Sequence, residues 1–204
     1  MTTTRGTTYT DFLALPDDGR RHELVRGEIL TMPPPKGRHG YVEARLVTAI
    51  DRYLEGRAME LGWREGQGAD ARDRLVGAVA SGEAGIRFSL PDDPDQVRGV
   101  DVLCLSPEQV NRLGTLLDDE YVPEVPALVA EVISPSQSTD DVDQKVADYL
   151  AGGARMVWTL HPRAGTVGVF MPDDAPRTTP AGGTLEGGDV LPGFYVSLLR
   201  LFGC

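Results

Sequence analysis

The spacing of apolar residues along this chain changes period several times, and each change predicts an element. From about His39 to Arg57, Val42, Leu46, Val47, Ile50 and Leu54 recur at three- and four-residue steps, which predicts an amphipathic helix ending near Gly56. Before it, "RHELVRGEILTMPPP" alternates, predicting strands over 22–25 and 28–32 around an Arg26-Gly27 turn. Residues 9–16 read as a short helix ended by Pro16. Residues 58–83 are rich in Gly, Asp and Arg and predict an irregular stretch with one strand and an exposed loop. Strands follow at 85–90 and 99–106, separated by a polar loop at 91–96. A short helix and loop fill 107–121, and "ALVAEVI" (127–133) reads as a buried strand. Ser138 with Asp141 forms a loose capping box for a helix over 140–151, which ends at Gly152-Gly153. "RMVWTLHP" (155–162) and "TVGVFM" (166–171) predict a hairpin. Short β pieces near Thr184 and Val190, an "LPGF" turn and the apolar "VSLLRLF" complete the chain. This order predicts an α/β (α+β) fold, one mixed sheet flanked by helices behind an N-terminal β-hairpin, as a single domain over 1–204.

Within this pattern two residues are out of place. Val129, Glu131 and Ile133 share one face of their strand, and Asp101, Leu103 and Leu105 share one face of theirs. Each apolar run holds a lone carboxylate, and an unpaired buried charge costs several kcal/mol or more. On adjacent strands, roughly 4.8 Å apart, the two would repel unless something positive sat between them. A hard divalent cation does this, since Mg²⁺ takes one or two carboxylates and leaves positions for water and phosphate oxygens. On the following helix Asp141, Lys145 and Tyr149 stand at i, i+4 and i+8, along one side. An ammonium near a metal-bound carboxylate pair can orient water and stabilise charge on a phosphoryl group. The plainer reading of each is an edge Asp, an ion-paired Glu, and a helix-surface Lys whose loss costs little stability.

Charge and composition narrow the choice. The 204 residues are 41% hydrophobic and carry a net charge of −11, which argues against a protein held on DNA by bulk electrostatics. Residues 1–57 nevertheless carry nine Lys/Arg against eight Asp/Glu, whereas the remainder carries eleven against twenty-three. A polyanion would therefore meet the N-terminal part. Cys104 and Cys204 show no zinc or disulfide spacing, and Cys104 reads as a core hydrophobe. Trp63 and Trp158 read as core, and His22 as a hairpin surface residue. No P-loop, G-x-S-x-G or dinucleotide signature is present. The absence of an apolar leader or a bilayer-length run leads to the expectation of a cytoplasmic protein with no membrane partner.

Taken together, these stretches resemble the PD-(D/E)XK nuclease superfamily, and more closely its bacterial restriction-endonuclease-like family called Uma-two. "HELVRGEIL" with the later His39, "GVDVLCLS", the block "PALVAEVISPSQSTDDVDQKVADYLAGGARMVWTLHP" and the closing "LPGF" carry the resemblance. It implies Mg²⁺-dependent hydrolysis of DNA phosphodiester bonds, with Mn²⁺ as a substitute. Asp101 and Glu131 would be the metal ligands. Ile133 stands where the superfamily motif has its Lys, so Lys145 would be a migrated catalytic lysine, positioned by Tyr149 or Asp141. Glu28 and His39 match family positions with open roles. Val100 precedes Asp101 where the family has Pro, and His161 stands where it often has Asp. A homodimer is one assembly to expect, with DNA as the substrate partner. The rival reading keeps the fold and drops the chemistry: a catalytically silent module for nucleic-acid or protein interaction. A small metal-dependent phosphohydrolase fits the carboxylates but not the resemblance.

Overall fold

The structure, a computed structural model, describes residues 6–114 and 121–203. Helix α1 (Tyr9–Leu13) is capped by Thr8, whose hydroxyl accepts a bond from the Asp11 N–H at 3.3 Å. Strands β1 (Arg21–Val25) and β2 (Glu28–Met32) form the expected hairpin, with Arg26 at φ 50° and Gly27 at φ 73° in the turn. Helix α2 (Gly37–Glu60) runs through Gly56 instead of stopping there. Leu54 and Ala58 extend its buried face across that glycine, and burying them outweighs the roughly 1 kcal/mol that an interior Gly costs.

Two expectations over 58–96 are corrected. The irregular stretch contains helix α3 (Ala69–Val76), which buries no residue and so leaves no apolar period to read. The strand expected within 58–83 and the strand at 85–90 are one long strand, β3 (Ala78–Leu90), whose register shifts between Ser81 and Ala84 and breaks the alternation. The polar loop shrinks to a tight turn, and strand β4 (Asp93–Leu105) begins inside it. Tertiary pairing explains this. The Asp93 carboxylate accepts from the Arg26 N–H at 2.6 Å, and Val97 pairs with Leu24, so β1 draws polar residues into the sheet.

Helix α4 (Pro107–Leu113) follows, and residues 115–120 of the loop expected after it lie outside the described residues. Then come β5 (Leu128–Val132), α5 (Thr139–Ala151), β6 (Met156–His161), β7 (Thr166–Phe170), β8 (Arg177–Thr179), β9 (Thr184–Glu186), β10 (Tyr195–Ser197) and α6 (Leu198–Phe202). Val190, expected in a strand, lies in a turn that leads to Pro192-Gly193. The large sheet runs β2-β1-β4-β5-β6-β7-β8, with β3 paired to β4 off that path, and β9-β10 form a separate ribbon. Within it β5 and β6 are parallel, joined by the α5 crossover, while the other pairings are antiparallel.

Alternation sends the two faces into two cores. Val102, Ala130 and Trp158 pack with Leu46 and Ile50 of α2 on one side. Leu103, Val129 and Val157 pack with Val146 and Tyr149 of α5 on the other. The mixed sheet flanked by helices is the fold class read from the sequence. Gly77 closes α3 at φ +94°, and a Cβ there would strike the Leu105 carbonyl oxygen of β4. Gly77→Ala is therefore expected to cost about 1–3 kcal/mol, read as a lower urea midpoint. An unchanged midpoint would show that the α3–β3 junction can shift to make room. Among the described residues no helix is long and apolar enough to cross a membrane.

Candidate active site

The site forms where the β4–β5 ladder ends. Val102 pairs with Ala130, and one further step would set Asp101 opposite Glu131. Instead, Asp101 Oδ2 accepts a hydrogen bond from the Val132 N–H at 2.7 Å, so a side chain takes over from the backbone ladder as the strands part. Asp101 Oδ1 lies 3.0 Å from His39 Nε2, and His39 sits in the first turn of α2. Arg38 anchors that turn by donating to the Pro162 carbonyl at 2.9 Å. One turn on, Glu43 lies 4.0 Å from His39 and accepts from the Gly82 N–H at 2.5 Å.

Glu131 is satisfied by α5. Tyr149 donates its hydroxyl to Oε1 at 2.6 Å, and the Lys145 ammonium lies 3.2 Å from Oε2. The i, i+4 spacing puts both donors over the strand, and all three residues are buried. Burial raises the pKa of Glu131; Lys145 opposes this and Asp101 adds to it. Burial alone would lower the pKa of Lys145, but Glu131 and Glu23 outweigh it and hold it above its ordinary value. Tyr149, buried beside a carboxylate, is pushed well above the usual phenol range and keeps its proton. His39 is raised by its contact with Asp101, against the effect of burial.

The structure thus brings Asp101, Glu131, Lys145, Tyr149 and His39 together. Tyr149 holds Glu131 rather than Lys145. The exposed Asp141 takes a bond from the Ser138 hydroxyl at 2.6 Å at the start of α5, away from the role of positioning Lys145. Glu28 is exposed beside the hairpin turn, and among the described residues no hydrogen bond or ion pair joins it to the cluster. Lys145 is only 8% exposed, so it is not a helix-surface lysine.

Behind the cluster lies a charged layer that the sequence reading missed. Asp148, one position before Tyr149, accepts from Arg98 at 2.6 Å, Arg26 at 3.0 Å and Gln144 at 2.8 Å. Burial pushes its carboxyl up, but these donors prevail and hold it at about 2. Glu23 accepts from the Gly99 N–H at 3.3 Å, and its Oε2 is 3.6 Å from Arg98 with no hydrogen bond among the described residues. Helix spacing offered a signal for Asp148, since 141, 145 and 148 share a side. Glu23 offered little, because a lone Glu in a short hairpin strand reads as solvent-facing.

Two cavities reach this region. One of about 470 Å³ lies between the hairpin and α5, bordered by Glu23, Arg98, Gln144 and Lys145. Another of about 450 Å³ opens past the ends of β5 and β6, bordered by Ser134, Thr159, His161 and Arg163. Thr159 and His161 lie 3.1 Å apart, and burial lowers the His161 pKa. Cys104 takes no part: it is buried, and burial pushes its thiol up to about 12. Cys204 lies outside the described residues.

Comparison with known proteins identifies the fold and the family. Among solved structures, this chain is similar to one described as a "putative nuclease belonging to DUF820" from Anabaena variabilis ATCC 29413. The TM-score is 0.76 at 19% identity, covering 96% of this chain and 97% of that one, which establishes a shared fold. Among curated proteins none matches. The sequence profile of the Uma2 family, described as "Putative restriction endonuclease", matches residues 9–199. On that match, which spans nearly all of the sequence, the chain belongs to the Uma2 family.

Proposed function

We propose that the chain is a Mg²⁺-dependent endonuclease hydrolysing DNA phosphodiester bonds, acting as one domain. The observation that carries this is the Lys145–Glu131 contact at 3.2 Å, made inside a buried cluster that also holds Asp101. A second carboxylate beside that ion pair raises the pKa of Glu131, a cost that a bound cation would remove. The donor set suits a hard cation: Asp101 and Glu131 present oxygens with lone pairs left over, and Glu23 Oε2 is buried without a hydrogen bond. Bound there, the cation would supply Lewis-acid activation of water and phosphate. Lys145 stabilises charge building on the phosphoryl oxygens or orients the attacking water. Tyr149 keeps its proton and fixes the rotamer of Glu131. His39 holds Asp101 in place from the α2 turn.

One observation favours the silent-module reading. Both oxygens of Glu131 already have partners, so the pair is closed without any ligand. A melting experiment with Mg²⁺ or Mn²⁺, run beside plasmid cleavage, separates the two. Metal that binds only the folded state stabilises it by about 2.7 kcal/mol at a hundredfold excess over Kd. Glu131→Gln is expected to abolish that gain. It should also weaken the metal-free protein, because Lys145 would face a neutral amide in a buried site. No metal shift at millimolar concentration, together with intact plasmid, would replace the nuclease reading with the silent one.

A further inference from the structure

Among the described residues several arginines are matched to carboxylates: Arg26 and Arg98 to Asp148, Arg72 to Asp51, Arg74 to Asp70, Arg112 to Glu124. Arg45, Arg52 and Arg200 are among the arginines that are not, and they are set apart by standing together. They border one groove of about 430 Å³ between α2 and the β10–α6 segment, shared with Thr48 and Tyr195, and no carboxylate lines it. Arg45 is fixed in place. It stacks over the Tyr41 ring at 5.1 Å, and its Nε donates to the Arg200 carbonyl at 2.6 Å. Arg52 and Arg200 are exposed, with no carboxylate in ion-pair range among the described residues. Tyr195 is 76% exposed at the rim. Glu186 faces Tyr195 across the β9–β10 ribbon but does not line the groove.

On a molecule of net charge −11, three uncompensated guanidiniums around one groove make a local positive field inside a repulsive surround. Such a field selects a polyanion and also orients it, since other approaches meet carboxylates. Guanidinium forks match phosphate oxygens in pairs.

We propose that this groove binds the phosphate backbone of duplex DNA several base pairs away from the bond to be cut. The inference rests on the nuclease reading for its choice of DNA. Helix α2 supplies the geometry. The same helix that brings His39 to Asp101 carries Arg45 and Arg52. At 1.5 Å and about 100° per residue these lie roughly 9 and 20 Å further along its axis and about 120–140° around it from His39. A duplex rising 3.4 Å per base pair spans that distance in about three to six base pairs. The helix is thus a rigid spacer, and a flanking stretch of DNA reaches the groove by passing around α2 rather than running straight along it. It lies in the N-terminal part of the chain, where positive charge is concentrated.

The test is binding of a fluorescent 20-bp duplex, with divalent metal chelated, across salt concentrations from about 50 to 200 mM. Wild type is compared with the double variants Arg52→Gln/Arg200→Gln and Arg52→Lys/Arg200→Lys. Each phosphate contact contributes about 0.9 to the slope of log K against log salt. The Gln pair should therefore lose about 1.8 of slope, and the Lys pair should keep it. The Lys pair also guards against misfolding, as does a melting temperature on each protein. An unchanged slope in the Gln pair, or a wild type that does not bind the duplex, overturns the proposal. The two readings fail separately. Cleavage of plasmid with an unchanged slope removes the groove and keeps the nuclease. A lost slope in a protein that never cleaves keeps the groove and removes the nuclease.

Discussion

Arg98→Met is expected to cost about 3–5 kcal/mol of folding stability, the largest loss foreseen for a single residue outside the candidate site. Arg98 is 4% exposed and serves three partners: Asp148 at 2.6 Å, Gln96 at 3.0 Å and Glu23 at 3.6 Å. Methionine fills much of the volume but leaves Glu23 with a backbone N–H and Asp148 with Arg26 and the glutamines. The remaining buried charges then lack compensation, which costs far more than losing an exposed ion pair. Urea unfolding measures the loss, and a change under about 1 kcal/mol would mean that water or side-chain movement resolves the charge. The pH dependence gives an independent check. The Asp148 pKa is about 2 in the folded protein, below its ordinary value of 3.8. A lowered folded pKa contributes stability that is present above about pH 4 and lost as pH falls toward 2. That contribution is about 2 kcal/mol in wild type. In Arg98→Met it should shrink, so the variant's stability should fall less steeply over that window.

Lys145→Ala is expected to lower cleavage by about 10²–10³-fold, the scale on which removing one charge-stabilising donor acts. The sequence reading would have the fold untouched, but the buried contact with Glu131 changes that expectation. Without the ammonium, Glu131 keeps Tyr149 and Asp101 as neighbours and is driven further toward its protonated form. The variant should therefore melt lower as well. Lys145→Met, which keeps the stem packed against the strand, separates lost packing from lost charge. Both variants inactive and folded at the assay temperature is the expected result. Either one cutting plasmid at the wild-type rate would remove Lys145 from the chemistry.

How much of this was legible depended on whether a residue's neighbours were local. The α2 face, the hairpin, β5 and the 141/145/149 side of α5 follow from periods of 3.6 and 2, which survive in a single sequence. The β3–β4 arm did not, because a register shift at Ser81–Ala84 hides the alternation and the Asp93–Arg26 bond lies 67 positions away in sequence. Asp101 and Glu131 stood out because an apolar run made each carboxylate anomalous. Asp148 and Arg98 did not, since a charged residue on a helix or in a polar-looking strand start looks solvated until its partner is known. Tyr149 was read as support for Lys145, and only the fold turns its hydroxyl onto Glu131.

The ionic layer around Asp148 also bears on the order in which the molecule can be made. Arg26 meets Asp148 across 122 positions and Arg98 meets it across 50. At a synthesis rate of about 5–20 residues per second, Arg26 waits roughly 6–24 s for that carboxylate to leave the ribosome. Until then Arg98 has only Glu23, at 3.6 Å, and Arg26 only Asp92, at 3.5 Å, and the ionic layer that ties the hairpin and the β3–β4 arm to α5 is unfinished. The N-terminal half therefore cannot finish early and wait. A nascent chain stalled before Thr139 should remain protease-sensitive and dependent on chaperones. One stalled well beyond Asp148 should snap into a resistant state, so that completing the fold and assembling the Asp101–Glu131–Lys145 cluster become a single late event in the birth of the protein.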